Sequence, residues 1–144
     1  MTVTREQLAQ LIPHADAMCL LHEVTALDND MITCRAVSHR DPAHPLREDG
    51  ILPGVSGIEY ATQAMAVHGA LRERRGRRAG MLAVVRDVVL NVERLDDIAD
   101  DLVLKAHRVH DDGMRLLYEF EVLAGGRELL RGRAVVVLED SGTP

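Results

Sequence analysis

Hydrophobic and polar positions change their period three times along this chain. Residues 4–11, TREQLAQL, bring Leu8, Leu11 and Ile12 onto one side of a helical turn, with Thr4 placed as its N-cap, and predict a short helix. The stretches 19–28 (CLLHEVTALD) and 31–39 (MITCRAVSH) are rich in apolar and β-branched residues, with turn material between them, and predict two neighbouring strands. Residues 40–54 carry Pro42, Pro45, Gly50, Pro53 and Gly54 and predict a loop. From Val55 to about Arg74 proline is absent, and Ile58, Ala61, Met65, His68 and Leu71 recur at helical spacing. The other sides of that helix carry Gly57, Ala64, Ala66 and Gly69 where a surface helix would carry Lys and Glu. A helix without a broad polar face is normally buried. Four apolar, β-rich runs follow, at 79–90, 102–110, 114–124 and 127–138, separated by Gly, Asp or Asn.

Two strands, one buried helix and four more strands make an α+β domain. A helix that is apolar nearly all round needs one large antiparallel sheet curved about it. The 144 residues suit a single domain, spanning 1–144, that buries roughly two thirds of its unfolded surface. Aromatic residues are 2% of the chain, so Leu, Val, Ile, Met and Ala must build the core. Net charge is −6, against the basic footprint of a nucleic-acid binder. Cys19 and Cys34 have no metal-like spacing and read as small buried hydrophobes of a reducing compartment. The N-terminus lacks the apolar stretch of a signal peptide, and no run approaches the ~20 apolar residues that span a bilayer. A cytoplasmic protein, not bound to membrane, is expected.

Two segments carry a resemblance to a known family. PHADAMCLLHEV (13–24) and HPLREDGILPGVSGIEYATQ (44–63) resemble the strand-leading and active-site motifs of the hotdog-fold 3-hydroxyacyl-carrier-protein dehydratases. The first matches at Pro13, His14, Leu20 and Val24. The second matches at His44, Pro53, Gly54, Val55, Ile58, Glu59 and Gln63, without a gap from Pro53 to Gln63. The likeness is greatest to the branch associated with aryl-polyene synthesis. His44 stands one residue further from Pro53 than in those enzymes, Pro45 replaces a Phe, and Glu48 and Asp49 fall where Gly and Pro are usual.

The resemblance implies a hotdog fold and dehydration of a 3-hydroxyacyl thioester on an acyl carrier protein, with no cofactor and no metal. Removing a weakly acidic α-proton and expelling hydroxide calls for a base, an acid and a group to bear charge on the thioester oxygen. A neutral imidazole suits His44 to the base, and a carboxyl kept protonated by burial suits Glu59 to the acid. Backbone N–H groups of Gly54 and Val55, at the start of the helix, would hold the thioester oxygen. Gly54 would let substrate approach the backbone, and Gln63, one turn beyond Glu59, would steady its carboxylate. In such enzymes the histidine of one chain faces the carboxylate of the other, so a homodimer or a hetero-oligomer with a second hotdog protein is expected.

Plainer readings stand beside these. Glu59 also reads as a part-exposed residue favoured by the helix dipole, His44 as an ordinary loop histidine, and Gln63 as structural. His107 and His110 in HRVH point to opposite faces of a strand and do not read as a metal site. His14 and His22 read as structural. RERRGRR (72–78) reads either as a solvated helix end or as a landing patch for an acidic carrier protein. ERLDDIADD (93–101) reads as an acidic turn. Two other functions fit the same fold: an acyl thioesterase, and a weakly catalytic subunit that pairs with an active dehydratase.

Overall fold

The computed structural model describes residues 3–11, 19–72 and 80–138. The short helix α1 (Arg5–Leu11) begins where expected: Thr4 N–H donates to Gln7 Oε1 at 2.9 Å, and Gln7 N–H donates to Thr4 Oγ1 at 3.4 Å. This reciprocal pair satisfies two donors that a helix start leaves open. Leu8 is fully buried, whereas Ile12 and His14 lie outside the described residues.

Strands β1 (Glu23–Leu27), β2 (Met31–Ala36), β3 (Gly80–Leu90), β4 (Leu102–Asp111), β5 (Arg115–Ala124) and β6 (Arg127–Leu138) form one antiparallel sheet in the order β1-β2-β4-β5-β6-β3. The long helix α2 (Gly57–Arg72) lies against its concave face. Alternate residues of β4 and β5 (Leu102, Leu104 and Ala106; Leu116, Tyr118, Phe120 and Val122) turn toward it and are buried. Irregularities in register at Val24/Ala26, Leu82/Val84, Arg86/Val89, Arg108/His110 and Val122/Leu123 spread the bending over the sheet. Bulges of this kind bend a strand and increase its local twist. The architecture is the hotdog fold that the resemblance implies.

Two expected elements differ in detail. The first strand was expected from residue 19, but begins at Glu23, because side chains take up the preceding backbone. Leu20 N–H donates to Gln63 Oε1 at 2.9 Å, and Leu20 C=O accepts from Ser38 Oγ at 2.8 Å. The helix was expected from Val55. Residues Gly54–Ser56 instead form one tight 3-10 turn before α2 proper, and the residues beyond Arg72 are outside those described. Enclosure of α2 is also incomplete: Tyr60, Ala61, Ala64, Val67 and His68 are buried, but Glu59 and Thr62 are half-buried and Ala66 and Ala70 exposed.

The segment 93–101, expected as an acidic turn, is part of a clamp, residues 91–101, for the loop that leads into α2. Leu95 is fully buried and its N–H donates to Leu52 C=O; Leu52 N–H in turn donates to Asp96 Oδ1. Asp101 binds Arg35 at 2.8 Å and Arg40 at 2.7 Å, which hold its carboxyl below the usual range. His39, fully buried, directs Nε2 at the carbonyls of Ile98 (3.1 Å) and Asp100 (3.0 Å), so Nε2 carries the hydrogen. Burial holds the His39 pKa below its ordinary 6.5.

Glycines at two places test the packing. A Cβ on Gly54 would sit inside the van der Waals shell of Val92 O, a backbone atom that cannot turn away, whereas a Cβ on Gly69 would meet nothing within 4 Å. Gly54→Ala should lower stability by ~1–3 kcal/mol. Gly69→Ala should raise it by ~0.5–1 kcal/mol through helix propensity. Denaturant midpoints check both, and equal effects at the two sites would refute the close packing of Gly54. The buried histidine sets a pH response. His39 binds its proton more readily unfolded than folded, so its contribution to stability is full above pH 6.5 and is lost as pH falls below that value. Unfolding midpoints at about pH 7.5 and about pH 5 should therefore differ less in His39→Gln than in the wild type.

Candidate active site

Strand β2 ends at Ala36, and the chain turns through a 3-10 segment, Ser38–Arg40, that faces the first turns of α2. The next residues fold inward. Asp41 Oδ1 accepts Ala43 N–H, and Asp41 C=O accepts His44 N–H, so a compact turn delivers His44 to the interior at 5% exposure. The extra residue between His44 and Pro53 is absorbed in a tight hairpin from Glu48 to Ile51. Asp49 (φ 52°) and Gly50 (φ 79°) occupy its two left-handed positions. Asp-Gly is a favoured pair for such a turn.

Both ring nitrogens of His44 have partners inside the chain. Nδ1 accepts Leu46 N–H at 3.0 Å, and Nε2 lies 3.0 Å from the Tyr60 hydroxyl. The Tyr60 oxygen is also 2.7 Å from Ser38 Oγ. Burial first, and then the Arg47 guanidinium, hold the His44 pKa below 6.5, so the ring is neutral at neutral pH. Burial likewise pushes the Tyr60 phenol up to about 12. Arg47 itself is held by the carbonyls of Gly50 and His39.

Glu59 follows directly on the helix start, half-buried, and its carboxylate has no hydrogen-bond or ionic partner among the described residues. Three expected details change. Gln63 is buried and its Oε1 accepts Leu20 N–H, so it holds the approach to β1 and not the Glu59 carboxylate. Gly54 N–H donates to Glu93 C=O at 2.8 Å, and its bare Cα faces the Val92–Glu93 backbone. It is therefore neither a donor for substrate nor a place for substrate to approach. Val55 N–H, by contrast, finds no acceptor among the described residues, and Val55 is exposed. No hydrogen bond or ion pair joins His44 to Glu59 within the described chain.

Tyr60 and Ser38 were not singled out in the sequence. The available signal was composition: the chain has only two tyrosines, and each makes a hydrogen bond with a buried histidine. In the second pair, His68 Nδ1 lies 2.6 Å from the Tyr118 hydroxyl and Nε2 3.1 Å from Asp28 C=O. Among the described residues no group of three His, Cys, Asp or Glu could hold a metal ion. His107 and His110 are exposed on β4. Cys34 is buried, which pushes its thiol up to about 12 and leaves it unreactive. No helix among the described residues is long and apolar enough to cross a membrane.

Comparison with known proteins agrees with the fold. A subunit of the dehydratase heterocomplex ApeI:P from Xenorhabdus doucetiae is 25% identical, with a TM-score of 0.79 over 92% of this chain and 91% of that one. A thioesterase from Haemophilus influenzae (14% identity, TM-score 0.73, 99% and 95% covered) and AziG from S. sahachiroi (17%, 0.67, 89% and 97%) share the fold. No curated protein matches the chain significantly. Residues 6–142, nearly the whole length, match the ApeP-like family, described as ApeP dehydratase. The chain belongs to the ApeP-like dehydratase family.

Proposed function

We propose that this dehydratase acts on a 3-hydroxyacyl thioester held by an acyl carrier protein, giving the trans-2-enoyl thioester, and that it works beside a second hotdog subunit. The observation that carries the reading is the delivery of His44 into the interior against Tyr60, the residue next to Glu59. His44 thus lies against the first turn of α2, the turn that also carries Glu59. Glu59 would protonate the departing 3-hydroxyl, and His44 would take the C2 proton. The C2–H and C3–O bonds break, the C2–C3 double bond forms and water leaves. Val55 N–H, at the positive end of α2, would bear charge on the thioester oxygen. A carrier-bound chain in fatty-acid or aryl-polyene synthesis fits that chemistry, and no cofactor is needed for proton transfer alone.

Pairing with a second hotdog chain has its own support. Strand β3 is the edge of the sheet opposite β1, and Val84, Val88, Val89 and Leu90 on it are exposed. Unpaired strand edges with apolar side chains are normally covered. The half-open strip of α2 that carries Glu59, Thr62, Ala66 and Ala70 also lacks a cover among the described residues. The similar ApeI:P protein is itself a heterocomplex. A subunit whose His44 has both nitrogens engaged is also one that would turn over poorly by itself.

Glu59→Gln should keep the fold and lower dehydration of a carrier-bound 3-hydroxyacyl substrate by ~10²–10⁴-fold. A loss below about fivefold would demote Glu59 to a structural role. A saturated acyl thioester, tried in parallel, should not be hydrolysed, and its hydrolysis would favour the thioesterase reading. Light scattering should give a dimer or larger even assembly, and a lone 15.9 kDa species at micromolar concentration would count against the shared site. Where the homodimer is the active form, mixing His44→Ala and Glu59→Ala chains should restore roughly a quarter of wild-type activity. Half the dimers are then mixed, each with one intact site in two. Active mixtures of wild type with a second hotdog protein, and idle homodimers, would assign the site to the heterocomplex.

A further inference from the structure

The hydrogen bonds around His44 run in one direction, which can be read from either end. At one end, Ser38 Oγ lies 2.8 Å from Leu20 C=O, a group that only accepts, so the single Ser38 hydrogen points there. Ser38 Oγ is then an acceptor toward Tyr60 at 2.7 Å, and the Tyr60 hydrogen goes to Ser38. That leaves the Tyr60 oxygen as an acceptor toward His44 Nε2 at 3.0 Å, which must carry a hydrogen. At the other end, Leu46 N–H only donates, so His44 Nδ1 must be bare. The two ends agree on one tautomer, which the contacts at both ends hold jointly. The sequence of donors is Leu46 N–H to His44, His44 to Tyr60, Tyr60 to Ser38, and Ser38 to Leu20.

We propose that Tyr60 is a positioning residue: with Ser38 and the Leu46 N–H it holds His44 as the Nε2–H tautomer, which masks the base of this chain until the 44–47 turn releases Nδ1. The proposal rests on the reading of His44 as the group that takes the substrate proton. A nitrogen that already bears hydrogen cannot accept another, and the lone pair on Nδ1 is engaged. The series ends on a carbonyl and so leads no proton away; it holds the ring in place. Protonation is opposed as well, because a hydrogen on Nδ1 would meet Leu46 N–H head on. The charged and titrating groups around the ring are Arg47 and Asp41 on its own loop, His39 on the preceding turn, and Tyr60 on α2. Burial and Arg47 both act against the imidazolium. Unmasking therefore means turning Leu46 N–H away as the 44–47 turn opens, which frees the Nδ1 lone pair while Nε2 keeps its hydrogen on Tyr60.

Long-range ¹H–¹⁵N NMR of the full chain at neutral pH reads the tautomer directly, with His44→Gln identifying the His44 signals. The wild type should show a pyridine-type Nδ1 and a protonated Nε2. Ser38→Ala removes the acceptor of the Tyr60 hydrogen and should shift His44 toward Nδ1–H. Tyr60→Phe should abolish the single tautomer and give an averaged pair of nitrogen shifts. An Nδ1–H or averaged ring in the wild type, or a His44 spectrum unchanged in both variants, would overturn the proposal. In the assembly that turns over, Tyr60→Phe should also lower kcat by about tenfold or more at unchanged KM, as expected for a misplaced reacting group. Absence of dehydration in every assembly would sink the functional reading and leave the tautomer result standing. A wrong tautomer beside a normal Glu59→Gln loss would sink the positioning role alone.

Discussion

The structure depends on one constraint: α2 has almost no polar side to turn toward water. Tyr60, Ala61, Ala64, Met65, Val67 and His68 face in several directions around its axis, and all are buried. A flat sheet would cover only one of those directions. Covering most of them requires a sheet that bends, and the register irregularities in four of the five strand pairings give it the means. Small residues then let the layers close up. Gly57 packs against Leu130, and Gly132 lies beneath Phe120, where a side chain on either glycine would hold helix and sheet or neighbouring strands apart.

Closure of that kind cannot reach the start of the helix, where the chain must come in. The two segments that meet there, 38–54 and 91–101, have no regular ladder to satisfy their backbone, so the gap is filled with specific polar contacts. Leu95 N–H donates to Leu52 C=O, Leu52 N–H donates to the Asp96 carboxylate, and Gly54 N–H is consumed by Glu93 C=O. His39 caps two carbonyls of the opposite segment. Arg40 reaches Ala99 C=O as well as Asp101. Among the described residues the groups left without a partner at this junction include the Glu59 carboxylate, the Val55 N–H, and the buried His39 Nδ1 and Arg47 Nε.

Much of this was legible in the chain. The all-round apolar and small surface of residues 55–74 demanded a wrapping sheet, and the six β-rich runs supplied it with boundaries close to those observed. His44 and Glu59 were visible through their motif. What the motif concealed was where neighbouring donors would go. Gly54 and Gln63 stand at matching positions, yet Gly54 is bound to Glu93 and Gln63 to Leu20, because loop 91–101 and the lead into β1 supply partners that no local spacing reveals. Tyr60 was hidden for a related reason. A buried tyrosine in an apolar helix reads as core, and only the fold brings Ser38 and His44, one on each side of it, within reach of its hydroxyl.

Direction, more than distance, decides what such a polar cluster can do. His44, Tyr60 and Ser38 lie close enough to look like a proton relay, and a list of separations would support that description. The terminal partners exclude it. An amide N–H at one end and a carbonyl at the other can neither give up nor take a proton under ordinary conditions, so the hydrogens between them are fixed in number and orientation. The second tyrosine–histidine pair follows the same logic: Asp28 C=O takes the His68 Nε2 hydrogen, which leaves Nδ1 to accept from Tyr118. In that core pair the tyrosine donates to the histidine, whereas at the site the histidine donates to the tyrosine. The same two side chains thus present opposite faces in one protein. The difference is set entirely by which backbone group each imidazole meets, a carbonyl for His68 and an amide for His44.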